Sequence, residues 1–139
     1  HTLCQRNFRA LTCRAFPFFP YITREGEFVG LSTYWEYEDR CWVISNLHVV
    51  SREYLAQFLH TYERLFELKP EELENFHYFS TQMRRVFGRR RRAITLLHRN
   101  GNFYKVTPRD GRMRRVSPDR LPKCGFYLLA SQMPFPDER

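Results

Sequence analysis

The chain has 139 residues and a formal net charge of +8, with 42% hydrophobic and 17% aromatic residues. That length fits one domain, and the aromatic content supplies enough buried area for a compact core, which excludes a chain disordered throughout. No apolar run approaches the roughly 20 residues of a membrane helix, so membrane insertion by that route is not expected.

In chain order, an apolar and basic mixture predicts a strand near residues 8–16. Pro17 and Pro20 then bracket Phe18-Phe19. Proline lacks a backbone donor, so this stretch suits an edge strand or an extended crossing. Tyr21-Ile22-Thr23, a turn at residues 24–27 and the aromatic and β-branched run from Phe28 to Trp35 predict a hairpin. Cys41 to Ser45 predicts a third, buried strand of a meander.

Ser51 is an N-cap candidate. Behind it Leu55, Phe58, Leu59, Tyr62, Leu65 and Phe66 recur at helical spacing. Pro70 suits the first turn of a second helix, and Glu71, Glu72 and Glu74 complement the positive end of its dipole. Leu73, Phe76, Phe79, Met83 and Val86 continue the apolar stripe, and Gly88 is the expected C′ residue.

After the helices the period returns to that of strands. Ala93 to Leu97 and Phe103 to Val106 flank the turn Arg99-Asn100-Gly101-Asn102. Pro108 to Gly111 turns into a short basic strand ending at Val116, and Gly125 to Ala130 predicts a last buried strand. The expected architecture is α+β. An antiparallel sheet is built from N- and C-terminal segments, with a central αα-hairpin of about residues 51–87 packed on one face. One domain over residues 1–133 is expected, with an extended tail at 134–139.

The charge is polarised. Residues 84–123 carry fourteen basic and two acidic side chains, or +12; the rest carry nine basic and thirteen acidic, or −4. Arg84, Arg85, Arg89, Arg90, Arg91 and Arg92 form the densest run. Clustered positive charge attracts polyanions through its field and by counterion release. Arg99, Lys105, Arg109, Arg112, Arg114 and Arg115 follow on the predicted sheet, interleaved with Phe103 and Tyr104. Basic strands with exposed rings hold phosphates and stack bases. The expectation is non-catalytic binding of nucleic acid, RNA ahead of DNA, with Phe103 and Tyr104 as stacking candidates. Solvated loops, helix-dipole complementation and a coding bias towards Arg are the competing explanations of the same residues.

Two other functions fit the sequence. The first is a protein-interaction module that docks through Phe16–Tyr21 or a helix face. Its arginine run would be a localisation signal or would meet an acidic partner. The second is a secreted heparan-binding protein whose Cys4, Cys13, Cys41 and Cys124 form two disulfides in one of three connectivities. The cysteines lack paired C-x-x-C spacing, which leaves a structural zinc site without support; reduced thiols and a nuclear or cytoplasmic location are the leading expectation.

Residues 41–50 resemble the segment that carries the catalytic histidine of trypsin-like serine proteases of the high-temperature-requirement type, which would make His48 the base. A triad also needs a nucleophile, usually in a Gly-x-Ser-x-Gly setting, and no such sequence occurs. Residues 97–113 resemble one hairpin unit of fibroblast-growth-factor-like β-trefoils, but a trefoil needs about twelve strands and the helices interrupt that pattern. No enzyme, metal or cofactor is expected.

Overall fold

The computed structural model describes residues 15, 17–37 and 44–121. The strand expected near residues 8–16, apart from Ala15, lies outside these, as do all four cysteines, the expected strand 125–130 and the tail.

Strand β1 (Phe18–Ile22) and strand β2 (Phe28–Thr33) form the expected hairpin. Helix α1 (Arg52–Leu68) and helix α2 (Pro70–Arg89) follow, then β3 (Ile94–His98), β4 (Phe103–Val106) and β5 (Met113–Val116). The strands make one antiparallel sheet in the order β1-β2-β3-β4-β5. The fold is therefore α+β: chain segments on both sides of the helical pair contribute strands to one sheet, and the helices pack on it.

One sequence expectation fails locally. Of the strand expected at 41–45, residues 41–43 lie outside the described residues, and Ile44 and Ser45 open a 3-10 turn that runs to Val49. A short apolar run does not distinguish strand from helix by periodicity. Here the Val50 N–H donates to the Leu47 carbonyl at 3.1 Å, closing a tight turn ahead of α1.

The helix start follows the sequence. The Tyr54 N–H donates to Ser51 Oγ at 3.0 Å, and Pro70 occupies the first turn of α2. The core is a network of rings. Phe18 meets Tyr54 of α1, while its neighbour Phe19 meets Phe79 of α2. Adjacent rings of β1 thus reach different helices. Tyr62 contacts Phe28, Phe58, Phe66 and Phe76, linking both helices to β2. Its hydroxyl is buried and finds no hydrogen-bond partner among the described residues.

Strand β2 meets β3 over a short stretch. The two strands pair at only two positions, Gly30 with His98 and Leu31 with Leu97. A Cβ on Gly30 would collide with the Leu97 carbonyl oxygen, so no other residue permits this approach.

The end of α2 differs from expectation. Gly88 stays inside the helix, and Arg91 takes the left-handed conformation with φ 54°. The Arg92 N–H donates to the Phe87 carbonyl at 2.9 Å and the Arg91 N–H to the Gly88 carbonyl at 3.2 Å. This is a Schellman motif with Arg91 at C′. Its accompanying contact joins Arg92 to Phe87, with the guanidinium carbon 4.8 Å from the ring centroid. That contact uses the aromatic ring one turn before Arg91, which fixes the stop three residues later than the glycine suggests.

Two stability outcomes follow. A non-glycine residue in the left-handed region costs about 1 kcal/mol. Arg91→Gly therefore raises Tm by several degrees in thermal unfolding, whereas Arg91→Ala, which removes the same charge, raises it less or not at all. An unpartnered buried hydroxyl carries a desolvation penalty of about 1–3 kcal/mol. Tyr62→Phe is thus neutral or stabilising in urea titrations, unlike most core substitutions.

Candidate nucleic-acid interface

The predicted basic residues divide into three groups. The first lines a cleft of about 1030 Å³ between the C-terminal end of α2, the β4–β5 turn and the β1–β2 turn. Seven of its lining residues are arginines: Arg24, Arg84, Arg85, Arg89, Arg91, Arg92 and Arg109. None of the described residues lining it is acidic. Asp110, next to Arg109, faces its own turn and accepts the Arg112 N–H at 2.9 Å.

Arg24 is the unexpected member. By antiparallel pairing the β1–β2 and β4–β5 turns leave opposite ends of the strands, yet Arg24 Nη1 donates to the Arg109 carbonyl at 2.8 Å. The sheet coils enough to bring its first turn to its last. The two residues stand 85 positions apart in the chain, and nothing in their local sequence signals the meeting.

Arg84 forms the back of the cleft and is only 7% exposed. Its Nη1 donates to the Tyr21 hydroxyl at 3.0 Å and the Ile22 carbonyl at 2.8 Å, and its Nη2 donates to Thr81 Oγ1 at 3.1 Å. Burial pushes the Tyr21 phenol up, with the Arg84 hydrogen bond and charge partly offsetting it, so Tyr21 faces the guanidinium as a neutral group. No carboxylate of the described residues pairs with Arg84. Arg84, expected as a phosphate contact, is a largely buried residue that joins β1 to α2 and also borders the cleft.

The second group is tied elsewhere. Arg99 pairs with Glu63 of α1 at 2.9 Å and lies over the Phe28 ring, 5.5 Å from its centroid. Beside it, burial and the Arg99 charge push the His98 imidazole below its usual range, and its Nδ1 accepts the Asn100 N–H. Lys105 Nζ donates to Thr95 Oγ1 at 2.8 Å.

The third group is exposed outside the cleft: Arg90, Arg112, Arg114 and Arg115. Arg114 stands opposite Lys105 and Arg115 opposite Tyr104, so the two β5 arginines point to opposite faces. Among the described residues β5 is a sheet edge, where charged side chains also discourage strand pairing with another molecule.

The stacking candidates separate in the same way. Phe103 is 7% exposed and belongs to the core, and alternation puts Tyr104 on the other face, half-buried. Tyr104 packs against His98 at 5.2 Å and accepts a hydrogen bond from Asn100 Nδ2 at 3.0 Å. Adjacent strand residues cannot form one platform, so the expected pair of rings is not a shared surface. Likewise Phe18 to Tyr21 are buried in β1 and present no aromatic docking face.

His48 is exposed at the end of its 3-10 turn. Among the described residues no cluster of His, Cys, Asp and Glu could hold a metal ion, and no helix is long and apolar enough to cross a membrane. Compared with protein-family models, curated proteins and solved structures, the chain finds no match.

The two roles of the arginines separate by substitution. Arg84→Ala strands the Ile22 carbonyl and the Tyr21 hydroxyl and removes a buried side chain, at a cost of about 2–4 kcal/mol in urea unfolding. Arg85→Ala and Arg89→Ala stay within about 0.5 kcal/mol.

Proposed function

We propose that the chain binds nucleic acid without catalysing a reaction on it, with RNA the preferred ligand, and that the arginine cleft is the contact. The observation that supports this is seven guanidiniums lining one concavity with no carboxylate among the described lining residues. Guanidiniums match phosphate oxygens bidentately and hold their charge at every physiological pH. The exposed Arg112, Arg114 and Arg115 would carry the phosphate backbone on from the cleft.

The test is fluorescence anisotropy with single-stranded RNA, duplex RNA and duplex DNA over about 50–300 mM salt. Single-stranded RNA is expected to bind tightest. Each phosphate neutralised on a single strand contributes about −0.7 to the slope of log K against log salt. Changing Arg89 to Arg92 together to Gln lowers that slope by about 2 to 3. An unchanged slope removes the run from the contact. Weak binding that vanishes equally for all three ligands would leave only generic charge attraction and redirect the search to an acidic protein partner.

A further inference from the structure

We propose that the cleft receives a phosphate-terminated end of an RNA strand, a 5′-triphosphate above all, in preference to an internal stretch; this rests on the nucleic-acid reading above. Three independent features of the cleft point to a ligand of high charge density.

The first is a charge mismatch. A cleft of about 1030 Å³ is roughly 10 Å across, and a nucleic-acid strand supplies at most one charge per about 3.4 Å of rise. An internal segment therefore brings about three negative charges to a cleft lined, Arg92 aside, by six arginines. A terminal phosphate monoester carries about −1.5 to −2 where an internal diester carries one charge, and a terminal triphosphate adds further phosphates within the same short length.

The second is Arg84. It is a buried cation with no carboxylate partner among the described residues, and it lines the cleft. A buried charge ordinarily requires a counter-charge. Its three hydrogen bonds all go to neutral oxygens. An anion seated in the cleft would supply the missing partner.

The third is Arg91. It lines the cleft from a left-handed position where glycine is the more stable residue. Such strain persists only where the surrounding structure over-determines it, and it clusters at ligand sites. Arg24, bonded to the Arg109 backbone, closes the opposite wall.

The experiment compares one single-stranded RNA sequence with a 5′-hydroxyl, a 5′-monophosphate or a 5′-triphosphate, binding to the full chain by anisotropy at about 150 mM salt. Inorganic triphosphate and guanosine triphosphate serve as competitors. Affinity is expected to rise in that order, with the triphosphate strand bound at least about tenfold tighter than the hydroxyl strand, a difference of about 1.4 kcal/mol. Arg91→Gly, which retains or gains stability, and Arg89→Gln abolish most of that difference. The pair Arg114→Gln and Arg115→Gln weakens all three strands alike and leaves their difference intact. Thermal unfolding of each variant confirms that the protein tested is folded.

Equal affinity for the three strands, with cleft variants still weakening all of them, overturns the end preference and leaves the nucleic-acid reading standing. Competition by inorganic triphosphate or guanosine triphosphate as strong as by the triphosphate strand overturns the strand end in favour of a free polyphosphate. Failure of every strand to bind overturns both readings.

Discussion

Arg84 Nη1 bridges the Tyr21 hydroxyl and the Ile22 carbonyl, 63 and 62 positions away in the chain. One turn earlier on the same helix, Ser80 Oγ accepts the Ile22 N–H at 3.0 Å. Both backbone groups of Ile22 are thus satisfied by α2 side chains. An edge strand normally leaves such groups open to water or to another strand. Here α2 closes the edge of β1 and holds the first hairpin against a helix encoded much later. The cleft depends on this join, because Arg24 follows Ile22 by two residues and reaches the Arg109 backbone only from there. Ser32 reinforces the arrangement: its hydroxyl donates to the Thr95 carbonyl at 2.9 Å and lies 3.7 Å from Met83 Sδ, tying β2 to both β3 and α2.

The Schellman turn at the end of α2 performs the next step. It converts a linear run of arginines into side chains that surround one concavity. An α-helix continued through Arg92 would spread consecutive residues about its axis. The left-handed Arg91 reverses the chain instead and delivers Ile94 to the centre of the sheet, between β2 and β4. Ile94 is fully buried, so the reversal is fixed by core packing immediately after it. Local strain at Arg91 is therefore balanced by the burial of Ile94 three residues on, and the arginine cluster lies between two well-anchored elements.

The parts of the fold legible in the sequence are those set by local pattern. Ser51 and Pro70 mark helix starts because orphan backbone donors are handled within one turn. The spacing of Leu55, Phe58 and Tyr62 declares a buried face, and all three are buried. The turns before β2, β4 and β5 follow from glycine and its polar neighbours. What escaped local reading required tertiary information. Arg84 looks like its neighbour Arg85, yet one is buried and the other exposed, because α2 rotates only the first towards β1. Phe103 and Tyr104 are adjacent aromatics in sequence but belong to opposite faces once the register with β3 is fixed. Arg24 carries no signal at all, since its place in the cleft comes from the coil of the sheet.

Ordinary structural causes account for some of the arginines and not for the cleft. The C-terminus of α2 presents about half a negative charge, which one or two cations complement. Arg114 and Arg115 suit an exposed edge strand, and Arg99 answers Glu63. Arg84 holds the fold together without answering any negative charge. None of these explains why Arg24 and Arg109, from two turns remote in sequence, meet the arginines of α2 around the same space. Mutual repulsion among clustered cations opposes folding, and a chain free to place them elsewhere would gain stability by doing so. The acidic side chains that could relieve that repulsion lie largely outside residues 84–123, which hold only two of the fifteen. An anion entering a cleft with that imbalance among its described lining residues would stabilise the fold, so binding there would contribute to folding as well as to recognition.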